Sequence, residues 1–396
     1  MTPNIEEKQK KRLSPAVAFS IFFLIGFGAW GTVNSFWPVY FNSFNYSNTQ
    51  IGILSAVGPF SAMFGLLFWG ARADRARFRN NVLFLICAIL GVTSQLYLLN
   101  GAFFYTLALT VIFMFCFSPM TTVGESMFLE CVQRGEIKYG RSRLWGSVGL
   151  ALIPLLPGLV ISKWGIRSVF PAHLLLMALA IIIALQLKKS PGGQRASGKK
   201  TSILEMRHDK EFVGLTCFLF LLHVTLGFYY SFFPVYMDNL GATNLIGLNN
   251  MAQFAAEILL VCIIVPLLRR FGFARLHIFA FMLTAVRLLL IGVIRSPVLL
   301  LVVNLVGGSG YSLCMLMFSF FSLRAPSELR VSALMFSSIV SSSLSRFLGS
   351  MLGGALSDMI GIPSVFFYAG LFDIILLAAF ILWLRKSGSL RDPVLI

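Results

Sequence analysis

Glu125, Arg143, Glu257, Arg287, Arg346 and Asp373 stand inside otherwise apolar stretches of the chain. A charge at bilayer depth is costly, so it is kept either as a self-neutralising pair or as part of a solute or ion path. Their spacing pairs them. Glu125 and Arg143 are each nine residues from Arg134, and Glu257 and Arg287 are each fifteen residues from Gly272. Positions equidistant from the turn of a helical hairpin lie at similar depth. At about 1.5 Å per residue, the second pair lies deeper than the first. Arg346 and Asp373 bracket a later turn with thirteen residues on one side and fourteen on the other, and read most simply as a structural ion pair. The chemistry open to such pairs is proton exchange. A carboxylate in a low-dielectric cavity holds its proton tightly, and an approaching arginine releases it.

Other polar candidates are neutral. Asn34 and Trp37, and later Tyr229 and Tyr230, flank two similar proline segments, and Gln253 lies one turn before Glu257 on the same face. His223 is well inside an apolar block and reads as a helix-packing residue before a proton relay. Gly307-Gly-Ser-Gly310 lacks the lysine of a phosphate loop and suits close helix packing. The six cysteines show no CxxC spacing, so neither disulfides, a metal site nor a cofactor is indicated.

The elements that must position these residues are membrane helices. Of 396 residues, 57% are hydrophobic and 12% charged, about half the charged share of a soluble domain. Apolar blocks near 14–41, 48–71, 80–99, 102–129, 141–163, 167–188, 211–237, 243–268, 275–294, 297–323, 329–357 and 362–385 are long enough to span a bilayer. The fold expected is all-α and polytopic, with twelve transmembrane helices. The first block is too long for a cleavable signal and has no small-x-small site after it.

The net charge of +17 raises nucleic acid as a partner, but its distribution answers differently. Of the 32 Lys and Arg, 26 fall in alternate loops and in the two tails. That is the positive-inside pattern, with both termini cytoplasmic and the chain in a bacterial inner or plasma membrane. Attraction to anionic lipid in the bilayer follows, and nucleic acid is not needed.

An internal repeat organises the chain. Ser35-Phe-Trp-Pro-Val-Tyr40 recurs 196 residues later as Ser231-Phe-Phe-Pro-Val-Tyr236, and Gly165-Ile-Arg-Ser-Val-Phe170 recurs as Gly361-Ile-Pro-Ser-Val-Phe366. The second copy starts after six helices, so both copies enter the membrane in one direction. Residues 1–188 and 211–396 are the expected six-helix halves. The basic, Gly- and Ser-containing stretch 189–210 is the cytoplasmic linker. Parallel repeats of this kind are one transporter design, with the solute site near the midplane.

Between the second and third spans stands Gly70-Ala-Arg-Ala-Asp-Arg-Ala-Arg-Phe-Arg79. It resembles the G-x-x-x-D-R/K-x-G-R-R/K loop of the major facilitator superfamily, with Arg77 in place of the second glycine. The resemblance implies a cytoplasmic gate at Gly70, Asp74 and Arg75. Glu125 followed by Gly140-Arg-Ser-Arg-Leu-Trp-Gly-Ser-Val-Gly149 resembles the corresponding hairpin of the lactose permease family, which includes oligosaccharide, nucleoside and phenylpropionate proton symporters. By that resemblance Glu125 and Arg143 contact the solute, with Asn34, Tyr230 and Gln253 as further candidates. Ala256-Glu257 and Ala285-Val-Arg287 resemble its helix 8 glutamate and helix 9 arginine, at an interval three residues shorter, and are the expected proton-coupling residues here. Leu150 replaces the family's sugar-stacking tryptophan, and Asn304 to Gly310 lacks its ionisable pair, so the galactoside preference does not carry over.

The function expected is proton-coupled import of a small polar organic solute such as a sugar, by a monomer. Uptake of an aromatic acid or nucleoside is the alternative. A drug-type exchanger is disfavoured because the fifth span lacks a Gly-Pro step, reading Gly149-Leu-Ala-Leu-Ile-Pro154-Leu-Leu-Pro157-Gly158. A membrane enzyme or sensor finds no nucleophile–base constellation or soluble domain to support it.

Overall fold

Inside hydrocarbon a backbone must satisfy its own N–H and C=O groups, and for long Leu-, Phe-, Ile- and Ala-rich runs the solution is the helix. The computed structural model describes residues 13–190, 210–307, 310, 313 and 343–387. Its α-helices are α1 (Pro15–Asn42), α2 (Asn48–Arg75), α3 (Arg79–Leu96), α4 (Phe103–Gln133), α5 (Tyr139–Leu152), α6 (Leu155–Trp164) and α7 (Val169–Gln186). They continue as α8 (Lys210–Asn239), α9 (Ile246–Phe271), α10 (Phe273–Val293), α11 (Pro297–Gly307), α12 (Ser345–Ile360) and α13 (Ile362–Ser387). Among the described residues nine helical spans are long and apolar enough to cross a bilayer, and a tenth if the bent pair Thr243–Leu260 and Ile263–Phe271 is one span.

The fifth expected span is interrupted. Its first part ends at Leu152 and its second starts at Leu155, around Pro154, which has no N–H to give to the ladder. Much of the tenth and eleventh expected spans lies outside the described residues; α11 and α12 carry the rest. The outer faces are apolar, with Leu67 70%, Phe104 80% and Ile375 68% exposed, which only a hydrocarbon surround makes favourable. The protein is a multi-pass membrane protein.

The chain gathers into two compact units, Met1–Val33 with Ser61–Ala196, and Asn34–Phe60 with Ser197–Ile396. In the first, α3 packs along α4 and α7, and Phe23 meets Phe128 edge to face at 5.0 Å. In the second, α10 lies along α13 and α12 along α8. The 196-residue repeat is visible as geometry. Gly165 and Gly361 both turn the chain at positive φ, 73° and 82°, where a side chain would be strained. A contact also repeats. A Cβ on Gly28 would run into Ile153, and at the same offset one on Gly349 would run into the carbonyl of Val224.

The segment Asn34–Phe60 is tied into the second unit by side chains. Asn42 donates to Asp238, a residue one repeat away, at 2.9 Å. Asp358, in the last turn of α12, accepts the backbone N–H groups of Asn48 and Thr49 at 2.8 Å each and the Thr49 hydroxyl at 2.6 Å. A carboxylate thus caps the first turn of α2, where orphan donors and the helix dipole both favour negative charge. Asp358→Ala is expected to cost about 1 kcal/mol, the usual worth of such a cap. A melting curve of the purified variant that overlays the parent's would refute that role.

Candidate functional site

On α4, Ser118, Thr121, Thr122 and Glu125 recur at helical spacing and make a polar stripe. Arg143 of α5 meets it: its Nε lies 3.2 Å from a Glu125 carboxylate oxygen, and the two side chains keep 31% and 38% of their surface exposed. The guanidinium stands over the Phe27 ring at 4.3 Å and near Phe23 at 5.7 Å. Gly146, one turn on, makes room for it, since a Cβ there would come within 2.7 Å of Arg143. The pair expected from the sequence is therefore made, and it is not sealed. A cation on an aromatic face beside an open carboxylate can bind hydroxyl groups of both polarities.

The second unit holds a connected polar network. Arg287 of α10 is 1% exposed. Its Nε donates to Asn304 Oδ1 at 2.7 Å, its Nη2 donates to Gln253 Oε1 at 3.2 Å, and its guanidinium lies 3.8 Å from the centre of the Tyr229 ring. Tyr229 donates toward the same two amide oxygens at 3.2 and 3.3 Å. Gln253 in turn donates to the Tyr230 hydroxyl at 3.1 Å. Arg346 of α12 closes the network, donating to Asn34 at 2.8 Å and lying 5.2 Å from the Tyr230 ring centre. Asn34, Tyr229, Tyr230, Asn249 and Gln253 line one recess.

The structure thus brings Asn34, Tyr230, Gln253 and Arg287 together, and it adds Asn304, which a search for ionisable groups passes over. The signal was available: Asn304 is the one polar side chain in Pro-Val-Leu-Leu-Leu-Val-Val-Asn-Leu-Val-Gly.

Two pairings come out differently. Arg287 engages Gln253, one turn before Glu257, because equal distance from a turn sets depth but not the reach of a long side chain. Arg346 and Asp373 are not bridged. Asp373 is 0% exposed and lies 3.1 Å from the Thr225 hydroxyl through both oxygens, while Arg346 faces Asn34. The two residues face different neighbours. His223 is buried with Nδ1 against the Leu219 carbonyl of its own helix, a packing arrangement.

At the basic end of the first unit, α2 runs through to Arg75, so Gly70 lies inside the helix and a Cβ there would meet nothing within 4 Å. Asp74 pairs with Arg79 at 3.6 Å, and Arg79, itself buried, reaches Glu130 at 3.9 Å. Arg75 is exposed. Arg79 is the hub that the motif contained without advertising it. Beyond α4, the Lys188 ammonium hydrogen-bonded to Glu136 holds that carboxyl below the usual carboxylate range. No group of three metal-ligating side chains occurs among the described residues.

Residues 16–368 match the family model described as MFS_1 like. The chain belongs to that family of major facilitator transporters. This MFS_1-like transporter is 24% identical to the maltose permease of Geobacillus stearothermophilus over 375 residues, covering 94% of this chain and 95% of that one. It is 24% identical to the sucrose permease of Escherichia coli, covering 89% of this chain and 88% of that one. In fold it resembles the nucleoside transporter NupG, with a TM-score of 0.82 at 16% identity over 93% of this chain and 99% of that one. The MFS_1-like chain is a solute transporter.

Proposed function

We propose that this transporter imports a small polar organic solute, in the first instance a sugar, by proton symport with alternating access. The observation that carries the reading is the open Glu125–Arg143 pair over Phe27. Relatives named for maltose and sucrose support a sugar. In this reading two six-helix halves, residues 1–188 and 211–396, rock about the solute, joined by a cytoplasmic linker at 189–210. Both termini face the cytoplasm from a bacterial inner membrane, and the monomer is the working unit.

Glu257 carries the proton, with Arg287 reaching the same face of α9 through Gln253. The end of α2 at Gly70, Asp74 and Arg75, with Arg79 as its anchor, is the cytoplasmic gate.

Glu257→Gln is expected to abolish uphill accumulation driven by a pH gradient in proteoliposomes while counterflow exchange of the same solute persists. Maltose, sucrose and uridine form the first panel. Gradient-driven accumulation equal to the parent's in that variant would remove Glu257 from coupling. Failure of every panel member to exchange would overturn the choice of solute class.

A further inference from the structure

A guanidinium carries five N–H donors in a rigid fork and cannot shed its charge. At Arg287, Nε and Nη2 are satisfied by neutral amide oxygens, and no carboxylate bridges it among the described residues. Nη1 is buried and has no hydrogen-bond partner there. A buried cation held only by neutral dipoles is an incomplete arrangement, since removing charge from water is repaid only by an opposite charge or a full set of acceptors.

Asn304 completes the picture. Its amide is oriented by chemistry: Oδ1 accepts from Arg287 Nε and lies within reach of the Tyr229 hydroxyl, so Nδ2 must point elsewhere. That Nδ2 is also buried without a partner, on a residue 0% exposed. Two spare donors therefore hang on one hydrogen-bonded Arg–Asn pair carrying a full positive charge. Around them, Gln253 and Tyr229 are already committed and supply no negative charge. Two donors plus an uncompensated cation match an oxygen anion, and a planar carboxylate suits the guanidinium fork best.

We propose that Arg287 and Asn304 form an anion subsite that receives a carboxylate on the transported solute. The inference rests on the solute-transport reading and adds acidic members of the solute class, such as sugar acids or aromatic acids, to the neutral sugars read from Glu125 and Arg143. Gln253 and Tyr229 hold the guanidinium in place, and these two side chains also line the recess that Asn249 shares.

The test is equilibrium binding to the purified full chain, without any gradient, so that failure of coupling cannot confuse it. The probes are glucuronate and 3-phenylpropionate against their carboxamides, with glucose and maltose as neutral sugars. Carboxylates are expected to bind and the matched amides to bind about 100-fold more weakly, the difference expected of charged hydrogen bonds. Asn304→Asp keeps the shape and places a carboxylate on Arg287 from within, so it is expected to remove the preference for carboxylates while the protein folds as before. Arg287→Gln should do the same. Equal binding of acids and amides, undiminished carboxylate binding in Asn304→Asp, or no binding by either carboxylate would overturn the proposal. Neutral-sugar binding that depends on Arg143 would survive that failure, and its absence would count against the sugar reading instead.

Discussion

Arg143→Ala lowers solute affinity by about 100-fold, the equivalent of one or two hydrogen bonds to a charged donor. The loss has two parts. The solute forfeits the guanidinium's donors, and Glu125 is left without the partner 3.2 Å away that balances its charge. Arg143→Lys separates them, because an ammonium restores the charge but neither the fork nor the planar stacking over Phe27. We expect the lysine variant to recover the parent's fold and only a small part of its affinity. Titration of purified protein with the transported solute checks both. Parent-like affinity in Arg143→Ala would dismantle the site at Glu125.

What the sequence made legible follows from how each feature is encoded. The Glu125–Arg143 pair was readable because α4 and α5 are adjacent, joined by a short loop that turns at Gly135 with φ of 74°. Counting from that turn fixes depth on both helices, and neighbours in sequence are neighbours in space. Arg346 and Asp373 stand fifteen and twelve residues from the turn at Gly361, and azimuth around each helix, which depends on what else packs there, decides the partner. Thr225 of α8 claims Asp373, and Asn34 claims Arg346. Both claims come from segments more than 100 residues away, which no local count can supply.

The repeat shows the same limit from another side. Its longest runs of matching letters are Ser35–Tyr40 and Gly165–Phe170 and their copies, whereas the helix approach at Gly28 and Ile153 recurs at Val224 and Gly349 with the glycine on the opposite partner. The contact is repeated and the residues are exchanged. Asn304 is harder to read for a different reason: an amide that completes an arginine's shell carries no charge to mark it in an apolar run.

Gly349→Ala is expected to destabilise the protein by about 2 kcal/mol or more, the scale of overpacking in a close-packed interior. An added Cβ would lie 2.0 Å from the Val224 carbonyl oxygen and 3.0 Å from the Phe228 nitrogen. Those atoms are backbone, so relief requires α8 and α12 to part. Parting them would strain the Ser231–Ser350 hydrogen bond at 2.7 Å and the neighbouring contact in which Gly353 admits the Phe228 ring. Gly349 and Gly353 are four apart, the small-residue spacing that lets membrane helices approach closely. Gly70→Ala is the matched control: Gly70 is also helical, yet nothing lies within 4 Å of its added carbon, and helix propensity alone favours the alanine. Melting of the two variants in one detergent should therefore shift in opposite directions, or only for Gly349. Equal melting temperatures would mean that the α8–α12 approach is not held by the absence of a side chain.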